Sequence, residues 1–392
     1  MGNQSDLEYQ NLKAEIFDFL WKEVDPAIIN MERTAHFPRD EFFPKFREHR
    51  LWGLIIPEAY GGVGLTISQY LPLLAEMAKI SSVVRGIIHV HNTSARAIVA
   101  FGTKEQKQRY LPRMATGESS AAFALTEANA GTGMDLASMA VREGDDYLLN
   151  GEKHLITNAD FADLFMTCCW TNKQLGRKGL SALMVNRDAP GFLLETMPHL
   201  MGGSGLGHGI LTFKNVKVPV MNKVGEEGDG LNIFLGELEP SRVFVAATSL
   251  GTTERVLEIA LDYAKKRVTF GKPIAERETI RAYLADMAVD VYALKLMLTD
   301  VAQRMDRGEK CPLEASAAKL FGLEAVVRVT DKAMEILGGR AYVQDYPYPF
   351  ERLYREARIN VLEEGTPSIQ RLVTARSLLK ETFPLKFGTL GI

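Results

Sequence analysis

The stretch LADMAVDVYALKLMLTDVAQRM (284–305) decides the architecture of the C-terminal part of the chain. Leu284, Met287, Val291, Leu294, Leu298, Val301 and Met305 recur at alternating intervals of three and four residues. Their side chains therefore line one stripe of a helix, and that stripe needs other helices to cover it. An antiparallel helical bundle is the arrangement that buries such a seam. Helical periodicity holds from about residue 236 onward.

Upstream, from about 121 to 235, the pattern changes to short apolar runs at 163–170, 180–185, 192–197 and 209–219. Pro190-Gly191 and the glycines of 202–209 separate them, as turns separate strands. Within YLLNGEKHLIT (147–157), Asn150-Gly151 predicts a two-residue type I′ hairpin turn, because both residues accept positive φ. The zone is expected to form a compact barrel or sandwich. Before residue 120 the helical period returns in Tyr9, Leu12, Ile16, Phe19 and Leu20, and in Ile67, Tyr70, Leu71, Leu74, Met77 and Ala78. IPEAYGGVG (56–64) reads as a turn and TKEQ (103–106) as a capping box opening a helix. The expectation is an α+β multidomain chain: an N-terminal helical domain (1–120), a middle β-domain (121–235) and a C-terminal helical bundle (236–392). A length of 392 residues already exceeds what one hydrophobic core usually serves.

Bulk properties exclude more than they assign. Lys plus Arg number 46 against 49 Asp plus Glu, a net charge of -3, which leaves no basic excess for a phosphate backbone; no nucleic-acid partner is expected. The cysteines Cys168, Cys169 and Cys311 build neither a disulfide framework nor a CxxC pair. The start, MGNQSDLEYQNLKAEIF, has no apolar targeting core. No apolar run reaches the roughly 18 residues of a membrane span. A cytoplasmic protein with no membrane association is the expectation. GGSGLGHG (202–209) contains no GxGxxG window and opens no βαβ unit, so it reads as a loop. His89 and His91, two residues apart on a helix, point to different sides, and no metal site is expected.

Four separated blocks carry the functional signal: FALTEANAGTG (123–133), NGEKHLITN (150–158), RVTFGKPIAE (267–276), and LGGRAYVQDYP (337–347) followed by YREARINVLEEGTPSIQRLVTAR (354–376). In order and spacing they resemble the signature blocks of the acyl-CoA dehydrogenase family over nearly the whole chain. The resemblance implies a helical domain, a β-barrel domain and a C-terminal four-helix bundle, with FAD held between the last two, in a homotetramer. It also implies an oxidoreductase that dehydrogenates an acyl-CoA thioester to a 2-enoyl-CoA and passes electrons to an electron-transferring flavoprotein. Two other readings use the same scaffold: a flavin oxidase or monooxygenase, and a flavoprotein that acts mainly in binding.

Residue by residue, the acid before Gly-Thr in the family's EGT segment is the base for the substrate α-proton, and Glu364 stands there. A carboxylate in a water-poor cleft suits that role, since desolvation makes it more basic. Relatives that place the base before an arginine of the bundle find no counterpart, because Ser241 precedes Arg242. Cofactor contacts implied by the resemblance are Phe123, Leu125, Thr126, Thr132, Leu155 and Thr157, with Arg267, Phe270, Gly338, Gly339 and Thr366. Arg267 would supply a charge-assisted donor to the diphosphate. Substrate contacts implied are Thr132, Arg242 and Gly365. Arg85 and His89 or His91, in the stretch expected to floor the acyl pocket, would meet a polar, dicarboxylic or ring-bearing acyl group. The chain also departs from the family pattern. TEPxAGSD becomes TEANAGTG, the Trp of KxWIT is Leu155, and GGxGY becomes GGRAY.

Overall fold

The structure, a computed structural model, describes residues 2–131, 135–344 and 347–380. Six helices come first: α1 (Gly2–Phe19), α2 (Asp25–Thr34), α3 (Arg39–Glu48), α4 (Ile67–Ile80), α5 (Ser82–Phe101) and α6 (Lys104–Ala115), with a π turn at Leu20–Val24. Eight strands follow: β1 (Ala121–Ala124), β2 (Met139–Glu143), β3 (Asp146–Ile156), β4 (Leu164–Trp170), β5 (Leu180–Asn186), β6 (Phe192–Thr196), β7 (Gly209–Pro219) and β8 (Lys223–Val224). Then come α7 (Gly230–Lys266), the small hairpin β9 (Val268–Thr269) and β10 (Lys272–Pro273), α8 (Glu278–Asp306), α9 (Pro312–Leu337), α10 (Phe350–Leu362) and α11 (Pro367–Lys380). The chain divides into two compact units, Met1–Thr66 with Val83–Leu238, and Ile67–Ser82 with Glu239–Ile392.

In the first unit the strands form one sheet in the order β6-β7-β3-β2-β4-β5-β8, with β1 added parallel to β4. Every residue of β4, LFMTCCW, is buried, because successive strand side chains point to opposite faces and both faces are covered. Phe165 and Cys169 join a core with Leu183, Val185, Leu211 and Phe213 from other strands. Leu164, Met166, Cys168 and Trp170 face a second core that includes Ile98 of α5 and Leu111 and Met114 of α6. The adjacent Cys168 and Cys169 thus lie in different cores, and burial holds both thiols far above the ordinary range. The Thr103–Gln106 capping box is formed in full at the start of α6.

The predicted turn at Asn150-Gly151 is not a turn. Both residues lie inside β3, and the β2–β3 hairpin closes instead through Gly144-Asp145, flanked by the paired Glu143 and Asp146. At Asn150-Gly151 the pairing of β3 with β7 slips by one residue, a bulge. Gly151 adopts φ 144, and a Cβ there would lie 2.4 Å from Ser138 Oγ. Asn150 bonds Asn215 of β7 through side chain and backbone. The dipeptide answers to a tight strand crossing, which makes the same demand for glycine as a turn. A two-residue loop with both φ positive does occur, at Phe270 (φ 49) and Gly271 (φ 77) between β9 and β10.

In the second unit the stripe read from the sequence is the buried side of α8, with Met287, Leu294, Leu298 and Val301 inside. α9 carries the densest apolar face, from Leu313 to Leu337. α4 belongs to this unit: the Asp306 carboxylate at the end of α8 accepts the amides of Ile67 and Ser68 at 2.7 and 3.0 Å, satisfying orphan donors of the first turn. Among the described residues no helix is long and apolar enough to cross a membrane.

Two buried polar groups in the first unit generate tests. His91 Nδ1 accepts the amide of Ala121 at 3.2 Å and Nε2 donates to Met114 O at 3.0 Å, so the ring is neutral in the fold. Burial lowers it from 6.5 to about 4. The unfolded chain therefore takes up the proton first: stability falls as pH drops below about 6.5 and the loss levels off near 4, on the order of 3 kcal/mol in all. Thermal midpoints measured across that window should fall for the native sequence and fall less for His91→Gln. Lys153, with 0% of its side chain exposed, pairs with Glu127 at 2.8 Å and also donates to Leu125 O at 3.0 Å. Burial pushes the Glu127 carboxyl up, but Lys153, the amide of Ala137 and the Ser138 side chain outweigh it and leave it below its ordinary value. Lys153→Met strands the carboxylate and is expected to cost about 3–5 kcal/mol in denaturation experiments, with partial recovery on adding Glu127→Gln.

Candidate active site

The Lys153–Glu127 pair locks the end of β3 to the segment that follows β1. His154 N donates to Thr126 O at 2.8 Å, so Thr126 lies beside the stretch 153–157. A second slip in the β3–β7 register, between Lys153 and Ile156, throws Leu155 out of the sheet. It adopts φ 55 and is 54% exposed, unusual for a leucine. Phe123 packs against Phe234 with ring centroids 4.2 Å apart, and Leu125 is buried. Thr157 Oγ1 lies 3.2 Å from His208 Nε2. Burial, reinforced by the positive charge of Arg85, lowers His208 to about 4, so it is neutral. Arg85 and His89 on α5 are each only 1% exposed. Thr132 lies outside the described residues. Beside this cluster a cavity of about 140 Å³ is lined by His36, Asp160, Leu206 and His208, among others.

In the second unit, α10 ends at Leu362 and α11 starts at Pro367, and Glu364 sits in the turn between them at φ 53. Glu363 is extended (φ -69, ψ 143), so neither acid is helical. The turn is fixed from below: Lys319 of α9, fully buried, donates to Glu363 O at 2.9 Å and Glu364 O at 2.7 Å. Gln370 Nε2 donates to Gly365 O at 3.0 Å, and Gln370 N to Thr366 O at 3.0 Å. The Ser241 hydroxyl of α7 donates to Glu364 Oε2. Burial pulls the neighbouring Arg242 guanidinium below its ordinary value, while Glu239 and Glu364 push it back up. The half-buried Glu364 carboxylate accepts from the Ser241 hydroxyl and lies within electrostatic reach of Arg242.

The remaining candidates of this unit form a separate group. Arg267 N donates to Tyr263 O, and the Tyr263 hydroxyl accepts from Arg340 Nη1 at 3.2 Å, one residue after the Gly338-Gly339 pair. Both glycines are exposed, and a Cβ at either would meet nothing within 4 Å. Phe270 is 96% exposed at the tip of its hairpin.

These features fit FAD. The exposed, apolar Leu155, close in sequence to Thr157 and next to the residue whose amide bonds Thr126, suits the face of a flavin ring. The open backbone of Gly338 and Gly339 and the guanidinium of Arg267 are each groups that suit a diphosphate. Sequence reading did not single out Lys153, Lys319, Ser241 or His208 as site residues. For the lysines a signal existed: Lys153 and Lys319 interrupt otherwise apolar faces, where a charge needs a partner.

Comparison with known proteins agrees along the chain. The families described as acyl-CoA dehydrogenase N-terminal, middle and C-terminal domains match residues 6–118, 122–216 and 228–379. A Bacillus subtilis acyl-CoA dehydrogenase is 39% identical over 373 residues, covering 95% of this chain and 98% of its own. The caffeyl-CoA reductase-Etf complex subunit CarC of Acetobacterium woodii is 34% identical over 367 residues, covering 93% and 96%. The structure of butyryl-CoA dehydrogenase from Megasphaera elsdenii superposes with a TM-score of 0.90 at 31% identity, covering 95% of this chain and 98% of that one. With all three domains matched in order, the chain belongs to the acyl-CoA dehydrogenase family, whose members are FAD-dependent oxidoreductases acting on acyl-CoA thioesters.

Proposed function

We propose that this chain removes the α-proton of an acyl-CoA with Glu364 as base and forms a 2-enoyl-CoA. The observation that carries this reading is the Glu364 carboxylate, held by its turn and by Ser241 beside the half-buried Arg242. Arg242 would line the path of the thioester's carrier arm, and the amide of Glu364 would donate to the thioester carbonyl as enolate charge develops. The adjoining Gly365, at φ 101, leaves that side of the turn without a side chain. When bound, FAD supplies the acceptor for the β-hydride. Phe123, Leu125, Thr126, Leu155 and Thr157 of the first unit would contact the cofactor, and Arg267, Phe270, Gly338, Gly339 and Thr366 of the second. Thr132 would serve both cofactor and substrate. Arg85 and His89, buried and polar, fit an acyl group with a polar, dicarboxylic or ring function better than a plain alkyl chain.

The large exposure of Phe270, and of Val289, Tyr292 and Leu296 along one side of α8, supports a homotetramer in which neighbouring copies cover them. Electrons would pass to an electron-transferring flavoprotein, a partner class named in the CarC relative. Three buried, free cysteines suit a reducing compartment, the cytoplasm.

Glu364→Gln should retain yellow FAD and lose flavin reduction by acyl-CoA by about a thousandfold, within the range general-base removal produces. Undiminished anaerobic bleaching of the flavin would refute the assignment. In the native enzyme, a panel of linear, cyclic and dicarboxylic acyl-CoAs should rank the polar or ring-bearing members highest, and a preference for plain linear chains would refute the pocket reading. Light scattering should return the mass of four chains; a monomer would remove the tetramer.

A further inference from the structure

We propose that His208 is a positioning residue for the cofactor: its ring holds the Thr157 hydroxyl so that the hydroxyl hydrogen is given to an acceptor on the edge of the flavin, which eases reduction of bound FAD. The proposal rests on Thr157 being a flavin contact. His208 stands in GGSGLGHG (202–209), the glycine-rich stretch between β6 and β7. Gly207 adopts φ 75, and a Cβ there would collide with the Asp160 carboxylate. Leu206 is buried against Gly86 of α5, where a Cβ would lie 2.5 Å from its Cδ1. The His208 carbonyl accepts the amide of Met197 at 2.8 Å. Gly209, the next residue, opens β7 and pairs with Ile156 on one side and Thr196 on the other. That register sets His208 opposite Thr157, and Nε2 lies 3.2 Å from Thr157 Oγ1.

The neutral ring has one proton to place. His208 is 8% exposed, and burial together with the positive charge of Arg85 keeps it neutral. Nδ1 has no hydrogen-bond partner among the described residues. A proton there would bury an N–H without an acceptor, and orphaned donors are rarer in folded proteins than orphaned lone pairs. The proton is therefore assigned to Nε2, which donates to Thr157 Oγ1. A threonine hydroxyl has one hydrogen and two acceptor lone pairs. With the histidine on its oxygen, Thr157 still has its hydrogen to give, and no other hydrogen bond engages that side chain among the described residues. The oxidised flavin ring carries acceptor nitrogens and carbonyl oxygens along its polar edge. A hydroxyl that accepts one hydrogen bond donates a stronger one. A donor aimed at the ring favours the electron-richer, reduced cofactor.

The test uses full-length, FAD-loaded enzyme without substrate, and measures the midpoint potential of the bound flavin by equilibration with a redox dye, beside the absorption spectrum of the oxidised form. His208→Leu should retain FAD and shift the ratio of reduced to oxidised flavin at a given potential roughly tenfold toward oxidised, a fall of about 30 mV for a two-electron couple. His208→Gln, whose amide can stand where Nε2 stood, should restore the potential. Thr157→Val should lower it to a similar extent, and adding His208→Leu to Thr157→Val should lower it no further. His208→Asn, polar but too short to reach Thr157, takes the place of the leucine variant if that one does not fold. An unchanged potential in His208→Leu or His208→Asn, or a double variant whose loss equals the sum of the single losses, overturns the role of His208 while Thr157 remains a flavin contact. A Thr157→Val enzyme with unaltered potential and spectrum overturns the Thr157 contact, and the role of His208 with it. Because no acyl-CoA is present, neither result bears on Glu364 as base.

Discussion

A lysine ammonium withdrawn from water is the constraint on which the candidate active site rests. Lys319 has no exposed surface, so its charge must be met inside the protein. The atoms that meet it include the carbonyls of Glu363 and Glu364 at the end of α10. Those carbonyls can both point at one ammonium only if the chain reverses sharply between them, and Glu364 accordingly takes a left-handed backbone conformation. Such a conformation costs a non-glycine residue of the order of 1–3 kcal/mol. Two charge-assisted hydrogen bonds offset a cost of that size. The carboxylate is presented by a turn that a buried charge holds in place.

The first unit solves a similar problem with a second lysine. Lys153 and Glu127 bury a full charge pair between β3 and the segment after β1, and the surrounding amides complete the coordination of the carboxylate. Replacing Lys153 with an apolar residue would suit the surrounding core but would leave the loop from Thr126 to Gly131 without its anchor. Two of the positions where this chain departs from its family, Ala128 and Leu155, lie close in sequence to the two members of that anchor. The framework that positions the segment is therefore retained where the exposed Ala128 and Leu155 have changed.

Much of the fold was legible because burial imposes periods. The four runs read as strands at 163–170, 180–185, 192–197 and 209–219 correspond closely to β4, β5, β6 and β7, and the stripe from Leu284 to Met305 is the inner side of α8. Asn150-Gly151 was misread because a bulge and a hairpin turn make the same demand on the backbone, and only the partner strand β7 distinguishes them. β1 and β2 are short and flanked by polar loops, too brief for alternation to register. At the site, Glu364 was accessible through its place in a resembling segment. Ser241 and Lys319 were not, because their importance lies in contacts across more than 40 positions of sequence.

The double burial of β4 has a chemical corollary. Neighbouring thiols in sequence, Cys168 and Cys169 face opposite cores, so a bond between them would require one to leave its core, and Cys311 is buried in the other unit. Held in their protonated form by burial, all three are poor nucleophiles while the protein is folded. Thiol reactivity in this enzyme is consequently a measure of opening, and the two positions report separately on the two units. A flavoprotein whose reduced cofactor meets oxygen generates peroxide beside its own side chains. This one keeps its sulfhydryls buried and protonated, the state in which thiols react slowly with that peroxide.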